Sequence, residues 1–200
     1  MPTPIEAIHI DCGTYVVRTI TLGDASERVG NWMGDQKIAV MLNAPRKAWS
    51  KSEVESYIRT FDQKSRLLLG VFDKASGLLL GFLTIVIDRP NSRAVVNIMI
   101  GEADYRDKGV TQDITPGFRD FFFDTLGLKT MLATALAYNR PIIHYLLKTG
   151  WTLDKTIPRR VKSRTDGSMI DLCYFSHTRE AWHAWKKANP PQGGTGEAKP

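Results

Sequence analysis

Residues 93–113 read RAVVNIMIGEADYRDKGVTQD: a β-branched run over 93–101, then a basic, glycine-bearing turn at 106–109, then a helix. A strand that feeds a helix through such a turn leaves backbone N–H groups unpaired at the positive end of the helix dipole. That arrangement is a seat for a phosphate or pyrophosphate. Gly109 lets the backbone come close to an anion, and Arg106 and Lys108 add positive charge. Taken alone the turn is weakly specific, because most such turns bind nothing.

Outward from this turn the chain alternates cleanly. Upstream, the apolar stretches 67–73 and 79–88 are punctuated by Gly77 and by Pro90-Asn91-Ser92, so with 93–101 they predict an antiparallel meander. Earlier still, 15–20 reads as a strand, and Asp24-Ala25-Ser26-Glu27 as a helix start. Ser50-Lys51-Ser52-Glu53 is a capping box that opens a helix with Val54, Tyr57, Ile58 and Phe61 on one face. Downstream, Phe118, Phe121, Phe122 and Leu126 mark a helix, and 128–136 a strand. Asn139 caps a further helix, with Pro141 in its first turn and Gly150 after its end. Strands at about 151–161 and 169–176 meet near Asp166-Gly167, and a helix over about 178–187 closes the domain. Pro116 leaves two alternatives. A helix starting at Thr111 carries it inside; a helix capped by Thr115 carries it in the first position. The fold class is α/β (α+β), with one sheet. Residues 1–13 read as an irregular lead-in, 14–188 as a single domain, and the Pro/Gly-rich 189–200 as a disordered tail.

Composition narrows the function classes. In 200 residues, 27 basic against 21 acidic side chains give +6, which favours acidic ligands without marking a nucleic-acid binder. Cys12 and Cys173 form no C-x-x-C, so neither a disulfide scaffold nor a zinc ribbon is expected, and no metal. The longest apolar run, 78–87, is too short to span a bilayer, and no basic start or apolar core marks a secretory signal. The expectation is a cytoplasmic protein without a membrane partner.

Several motifs stand in a telling order. R-x-x-G-x-T at 106–111 resembles the Q/R-x-x-G-x-G/A motif of the GNAT superfamily of acetyl-CoA-dependent N-acetyltransferases. FRDFFFDTLGL at 118–128 resembles the family's long helix and Leu-Gly-Leu exit, and NRPIIHYLLKTGW at 139–151 its N-x-x-(A)-x-x-x-Y-x-x-x-G-F segment. Trp49 before the capped helix, Asp171 in the final hairpin and Glu180-Ala181-Trp182 are similar to the branch of ribosomal-protein alanine N-acetyltransferases. The resemblance covers about 14–186. It implies a mixed, mostly antiparallel sheet, flanked by helices, whose central strands splay to admit acetyl-CoA.

By the same resemblance, Asp107, Lys108, Gly109, Val110 and Thr111 offer backbone donors to the pyrophosphate, and Arg106 anchors the turn. Met99 and Gly101 pair with the pantetheine arm, and Asn139 lies near the sulfur end. Tyr145 occupies the position of the general acid; its alternative is a packing role beside Ile142 and Leu146. The strand position where the family often has a glutamate falls in Val95-Val96-Asn97. Glu102 and Asp104 are the nearest carboxylates, able to act through a water or to remain solvated loop acids. Thr111 also departs from the motif's Gly or Ala. Acceptor loops fall in 30–50 and the last hairpin.

Other residues read plainly. Lys155, Arg159, Arg160, Lys162 and Arg164 form a basic cluster, either a charged edge or a surface for an acidic protein, RNA or the CoA 3′-phosphate. Trp182 and Trp185, three apart, read as core anchors, Cys173 as a small buried residue, and His144 as satisfied or exposed. The leading expectation is a monomeric or homodimeric enzyme transferring acetyl from acetyl-CoA to a primary amine by direct attack. A protein N-terminal amine is the first candidate and a small-molecule amine the second. A non-catalytic acyl-CoA sensor or RNA-binding module on the same fold is the alternative of another class.

Overall fold

The structure, a computed structural model, describes residues 7–189. Fourteen elements follow one another: β1 (His9–Cys12), β2 (Tyr15–Thr19), α1 (Glu27–Asn31), α2 (Gln36–Leu42), α3 (Lys51–Arg59), β3 (Arg66–Asp73), β4 (Leu79–Asp88), β5 (Arg93–Ile100), α4 (Val110–Asp120), β6 (Thr130–Leu136), α5 (Arg140–Lys148), β7 (Thr152–Lys162), β8 (Met169–Thr178) and α6 (Arg179–Ala188). The strands form one sheet in the order β1-β2-β3-β4-β5-β6-β8-β7. Every pairing is antiparallel except β5 with β6.

The run 66–73 is apolar without alternation because both faces of β3 are covered. Leu67, Leu69 and Val71 join the core beneath α4, whereas Leu68 and Phe72 join a second core with Trp32, Val54 and Ile58. Ser50 and Glu53 make the predicted capping box of α3, a device whose loss costs about 1 kcal/mol.

Three local readings need correction. Residues 9–12 are not an irregular lead-in: they form β1, paired with β2 from His9↔Arg18 to Cys12↔Tyr15. The helix after β2 is capped by Ser26, whose side chain accepts from Val29 N–H; Asp24 ends a short turn and is held by Arg18. A helix between the two expected ones, α2, was not foreseen. Its cap is Asp35, and it ends on Asn43 in the left-handed region. Of the two alternatives for Pro116, the one that carries it inside the helix holds: α4 starts at Val110, and the following turn widens so that Leu126 N–H reaches the Phe121 carbonyl. The expected disordered tail lies, apart from Asn189, outside the described residues.

The sheet parts in its middle. β5 and β6 pair only at Arg93↔Thr130, Ala94↔Met131 and Val95↔Leu132. Beyond them β5 stays on β4 as far as Ile100 and β6 stays on β8 as far as Leu136. The wedge between them is the natural place for a ligand.

Candidate functional site

Two cavities meet at the wedge, an inner one of about 420 Å³ and an outer one of about 520 Å³. Ile98, Thr111, Asn139, Ile142 and Tyr145 line both. The inner floor is apolar, with Leu83, Ile114, Phe118, Met131 and Trp151. The outer channel runs to the turn before α4.

That turn leaves a run of backbone donors free. Gly109 precedes α4 at φ 81°, a conformation that favours glycine, and Asp107 sits at φ 62°. Among the described residues, no protein acceptor pairs with the backbone N–H groups of residues 107–112. Six donors therefore gather at the start of α4, where the helix dipole is positive. Arg106 does not reach into the cleft as a free charge. Its guanidinium donates to the Ile100 and Gly101 carbonyls at 3.3 and 2.5 Å and to Asp35 at 2.9 Å, bracing the turn against β5 and α2.

Strand parity revises the expectation for the extended arm. Gly101 N–H donates to the Leu80 carbonyl at 2.8 Å, and its own carbonyl is taken by Arg106. Backbone groups alternate along a strand, so Met99, opposite Phe82, also turns its backbone to β4. The wedge is faced instead by the backbones of Ile98 and Ile100. Met99 lines the outer cavity, but by this parity its backbone, like that of Gly101, is turned to β4. Gly101 is required for another reason: a Cβ there would stand 2.0 Å from the Trp32 ring.

Glu102 is not among the residues lining either cavity. Its carboxylate accepts from Trp32 Nε1 at 2.9 Å and from Arg28. A carboxylate so held ties α1 to the end of β5 and is not placed as a base. Asn139 stands at the N-cap position of α5, but its side chain makes no capping bond and lines the cleft. Tyr145 lines the cleft with its hydroxyl on Thr115 Oγ1. His144, next to it, is exposed.

Behind Tyr145 lies a buried cation. Arg119 is 2% exposed and donates to the Thr149 carbonyl at 2.7 Å and Thr149 Oγ1 at 2.8 Å, with His177 Nε2 at 3.2 Å. Trp151 and Trp182 lie against it, their ring centres 5.7 and 5.1 Å from the guanidinium carbon. Burial, and then the charge of Arg119, pull the His177 pKa down to about 4. Trp182 is fully buried, with Trp185 stacked on it, and Cys173 is buried, as expected.

The far side of the wedge is roofed by α2. Met41, Leu42 and Asn43 line the inner cavity together with Val161 and Arg164 of the last hairpin. Asn43 holds the roof down: its amide donates to the Lys162 carbonyl at 2.9 Å and its oxygen accepts from Arg164 N–H at 2.8 Å. Tyr138 donates to the Val40 carbonyl at 2.6 Å. Among the described residues lining the two cavities, Asp107 of the turn is the single carboxylate. The basic residues of β7 stand at the sheet's outer edge, exposed.

Sequence reasoning missed Ile98 and Ile100, Thr115, Arg119 and the helical form of the roof, whose residues fall in the 30–50 stretch and the last hairpin where acceptor loops are expected. The strand parity was within reach, because the tight 89–92 turn sets Asp88 opposite Arg93. Arg119 was not, since nothing local distinguishes it from a solvated arginine.

The sequence profile of the acetyltransferase (GNAT) domain matches residues 15–152. Compared with curated protein sequences, the chain has no match. Among solved structures, a spermidine N-acetyltransferase from Vibrio cholerae in complex with CoA and spermine superposes with a TM-score of 0.75 at 16% identity, covering 85% of this chain and 98% of that one. A ribosomal-protein-S5-alanine acetyltransferase from Vibrio fischeri gives 0.74 at 16%, covering 88% and 98%. A GNAT-family acetyltransferase from Bacillus anthracis gives 0.73 at 13%, covering 86% and 99%. These likenesses establish the fold and single out no branch.

Proposed function

Because the chain belongs to the GNAT acetyltransferase family, we propose that it moves the acetyl group of acetyl-CoA to the free α-amine of a peptide or protein N-terminus. When bound, acetyl-CoA supplies an activated acyl carbon and a sulfur leaving group. The residues present fit it. The unpaired N–H groups of residues 107–112 suit its pyrophosphate, and the wedge-facing backbone of Ile98 and the N–H of Ile100 suit its extended arm. Tyr145, on the cleft wall, protonates the departing sulfur. Holding the two reactants together supplies most of the rate.

The observation that carries the acceptor class is that, among the described residues lining the cleft, the single carboxylate is Asp107 of the turn. The carboxylate nearest the strand end, Glu102, is tied to Arg28 and Trp32, and the roofed side of the cleft offers Arg164 and Asn43. An acceptor must therefore arrive already neutral. A peptide α-amine, with a pKa of about 7.7–8.0, is roughly half neutral at mildly alkaline pH; an aliphatic amine near about 10.4 is less than about 1% neutral there. A polyamine would also bring several cations to a wall that carries Arg164 and Lys37. The apolar Met41 and Leu42 suit the first side chain of a peptide.

The test is steady-state acetylation of short peptides with free N-termini against spermidine, measured from pH 6.5 to pH 9. The peptides are expected to give kcat/KM at least about tenfold higher than spermidine, rising to a plateau near the α-amine pKa of about 8. Faster turnover of spermidine, or of a lysine side chain in an N-terminally blocked peptide, would overturn the assignment.

A further inference from the structure

α4 and α5 face one another through two rungs one helical turn apart: Thr115 with Tyr145, and Arg119 with Thr149. Thr115 Oγ1 lies 2.6 Å from the Thr111 carbonyl, which can only accept. Its one proton goes there, so on the Tyr145–Thr115 contact Tyr145 is the donor. The remaining lone pair of the phenol oxygen is left for another donor. On the second rung Thr149 Oγ1 donates to the Tyr145 carbonyl at 2.8 Å, so the residue that holds Arg119 also belongs to the turn that carries Tyr145.

Arg119 is oddly placed for a structural arginine. Its partners, Thr149 and His177, are neutral. A buried cation without a counter-charge is unfavourable unless something offsets it. Burial pulls its pKa down to about 10, and the neighbouring Tyr145 acts in the opposite direction. Adjacent rungs of a helix stand about 5–6 Å apart, and Tyr145 is the group at that range able to become an anion. Both side chains line the inner cavity, Tyr145 half-buried and Arg119 behind it.

We propose that Arg119 is a positioning residue for Tyr145: its guanidinium stabilises the phenolate that Tyr145 becomes on giving up its proton. The inference rests on Tyr145 being the proton donor. The balance is complete. The amine nitrogen forms a bond to the acyl carbon, and the C–S bond breaks with its electron pair left on sulfur. Tyr145 gives its hydroxyl proton to that sulfur. The proton lost by the nitrogen passes to water, and the phenolate regains one from water.

The test is an ultraviolet difference titration of phenolate absorption, taken as each protein minus its Tyr145→Phe counterpart, with the pH profile of kcat beside it. Near-ultraviolet circular dichroism monitors the fold. With Arg119→Met, the Tyr145 ionisation is expected to move up by about 1–2 pH units, and the alkaline limb of kcat with it. Arg119→Lys keeps the charge but loses the fork on Thr149. It is expected to keep the Tyr145 ionisation near the wild-type pH, whereas a purely structural role would make it as damaging as Arg119→Met. If Arg119→Met fails to fold, the comparison of Arg119→Lys with wild type stands alone: a Tyr145 ionisation raised as far as the predicted loss overturns the proposal. An unmoved ionisation in folded Arg119→Met also overturns it. A shifted ionisation together with full activity of Tyr145→Phe overturns the proton-donor reading itself, and the positioning role with it.

Discussion

His177 makes the protein's stability depend on pH in a window where most proteins are indifferent. The ring is 1% exposed, its Nδ1 is 2.9 Å from the Gly150 carbonyl, and its Nε2 faces Arg119 at 3.2 Å. The carbonyl needs a donor and the guanidinium an acceptor, so the neutral ring carries its proton on Nδ1. A second proton on Nε2 would break the Arg119 contact and set two cations together. Hence the folded pKa of about 4 against an ordinary 6.5. Between those values the unfolded chain binds the proton and the folded chain does not, so stability rises with pH. The contribution is complete above about 6.5 and is lost as the pH falls towards about 4. At about 1.4 kcal/mol per pH unit the full window is worth about 3 kcal/mol, of which about 2 kcal/mol falls between pH 7 and pH 5. With a urea slope of about 2 kcal/mol per molar, the unfolding midpoint should drop by about 1 M over that interval. Urea melts followed by tryptophan fluorescence read it directly, since Trp151 stacks on the ring. His177→Gln can keep one donor and one acceptor but cannot titrate. It should lose most of this slope, at some cost in stability at pH 7. Parallel pH dependence in the two proteins would refute the reasoning.

Two further outcomes follow from the same geometry. Gly101→Ala drives a methyl group into the Trp32 ring, and overpacking of that kind costs about 1–3 kcal/mol. Calorimetry should find the melting temperature lowered by several degrees, and an unchanged value would mean that Trp32 is not held where Glu102 places it. Asn43→Ala removes both hydrogen bonds between the α2 roof and the last hairpin. KM for a peptide acceptor should rise severalfold with the acetyl-CoA affinity unchanged, as measured by steady-state kinetics and calorimetric titration; an equal loss for both ligands would count against the roof as an acceptor wall.

Much of this architecture is written in local signals. Ser50 with Glu53, Gly77, Pro90-Asn91-Ser92, Asn139-Arg140-Pro141 and Gly150 each act on their own few residues, so the elements they bound lie within a residue or two of expectation. The readings that failed depend on distance. β1 is four residues long and takes its shape from β2. α2 has seven residues, too few for an apolar period, and draws its support from Arg106, Tyr138 and the 162–164 turn. The burial of Arg119 requires Thr149 and His177, 30 and 58 residues away, to arrive together. The position of Tyr145 was legible from its motif, and its surroundings were not.

Asp35 does two things at once. It caps α2, accepting from Lys37 and Ile38 N–H at 2.7 and 3.2 Å, and it receives Arg106 from the turn before α4. The far end of the same helix is pinned to the last hairpin by Asn43. On the proposed reading, the acceptor wall is thus hung from the donor cradle by the Arg106–Asp35 pair. Whatever free energy the donor contributes by steadying the turn is shared with the acceptor wall, and by thermodynamic reciprocity the acceptor returns it in equal measure. On that reading, the two substrates tighten each other's binding through the scaffold, in addition to the contact between amine and thioester.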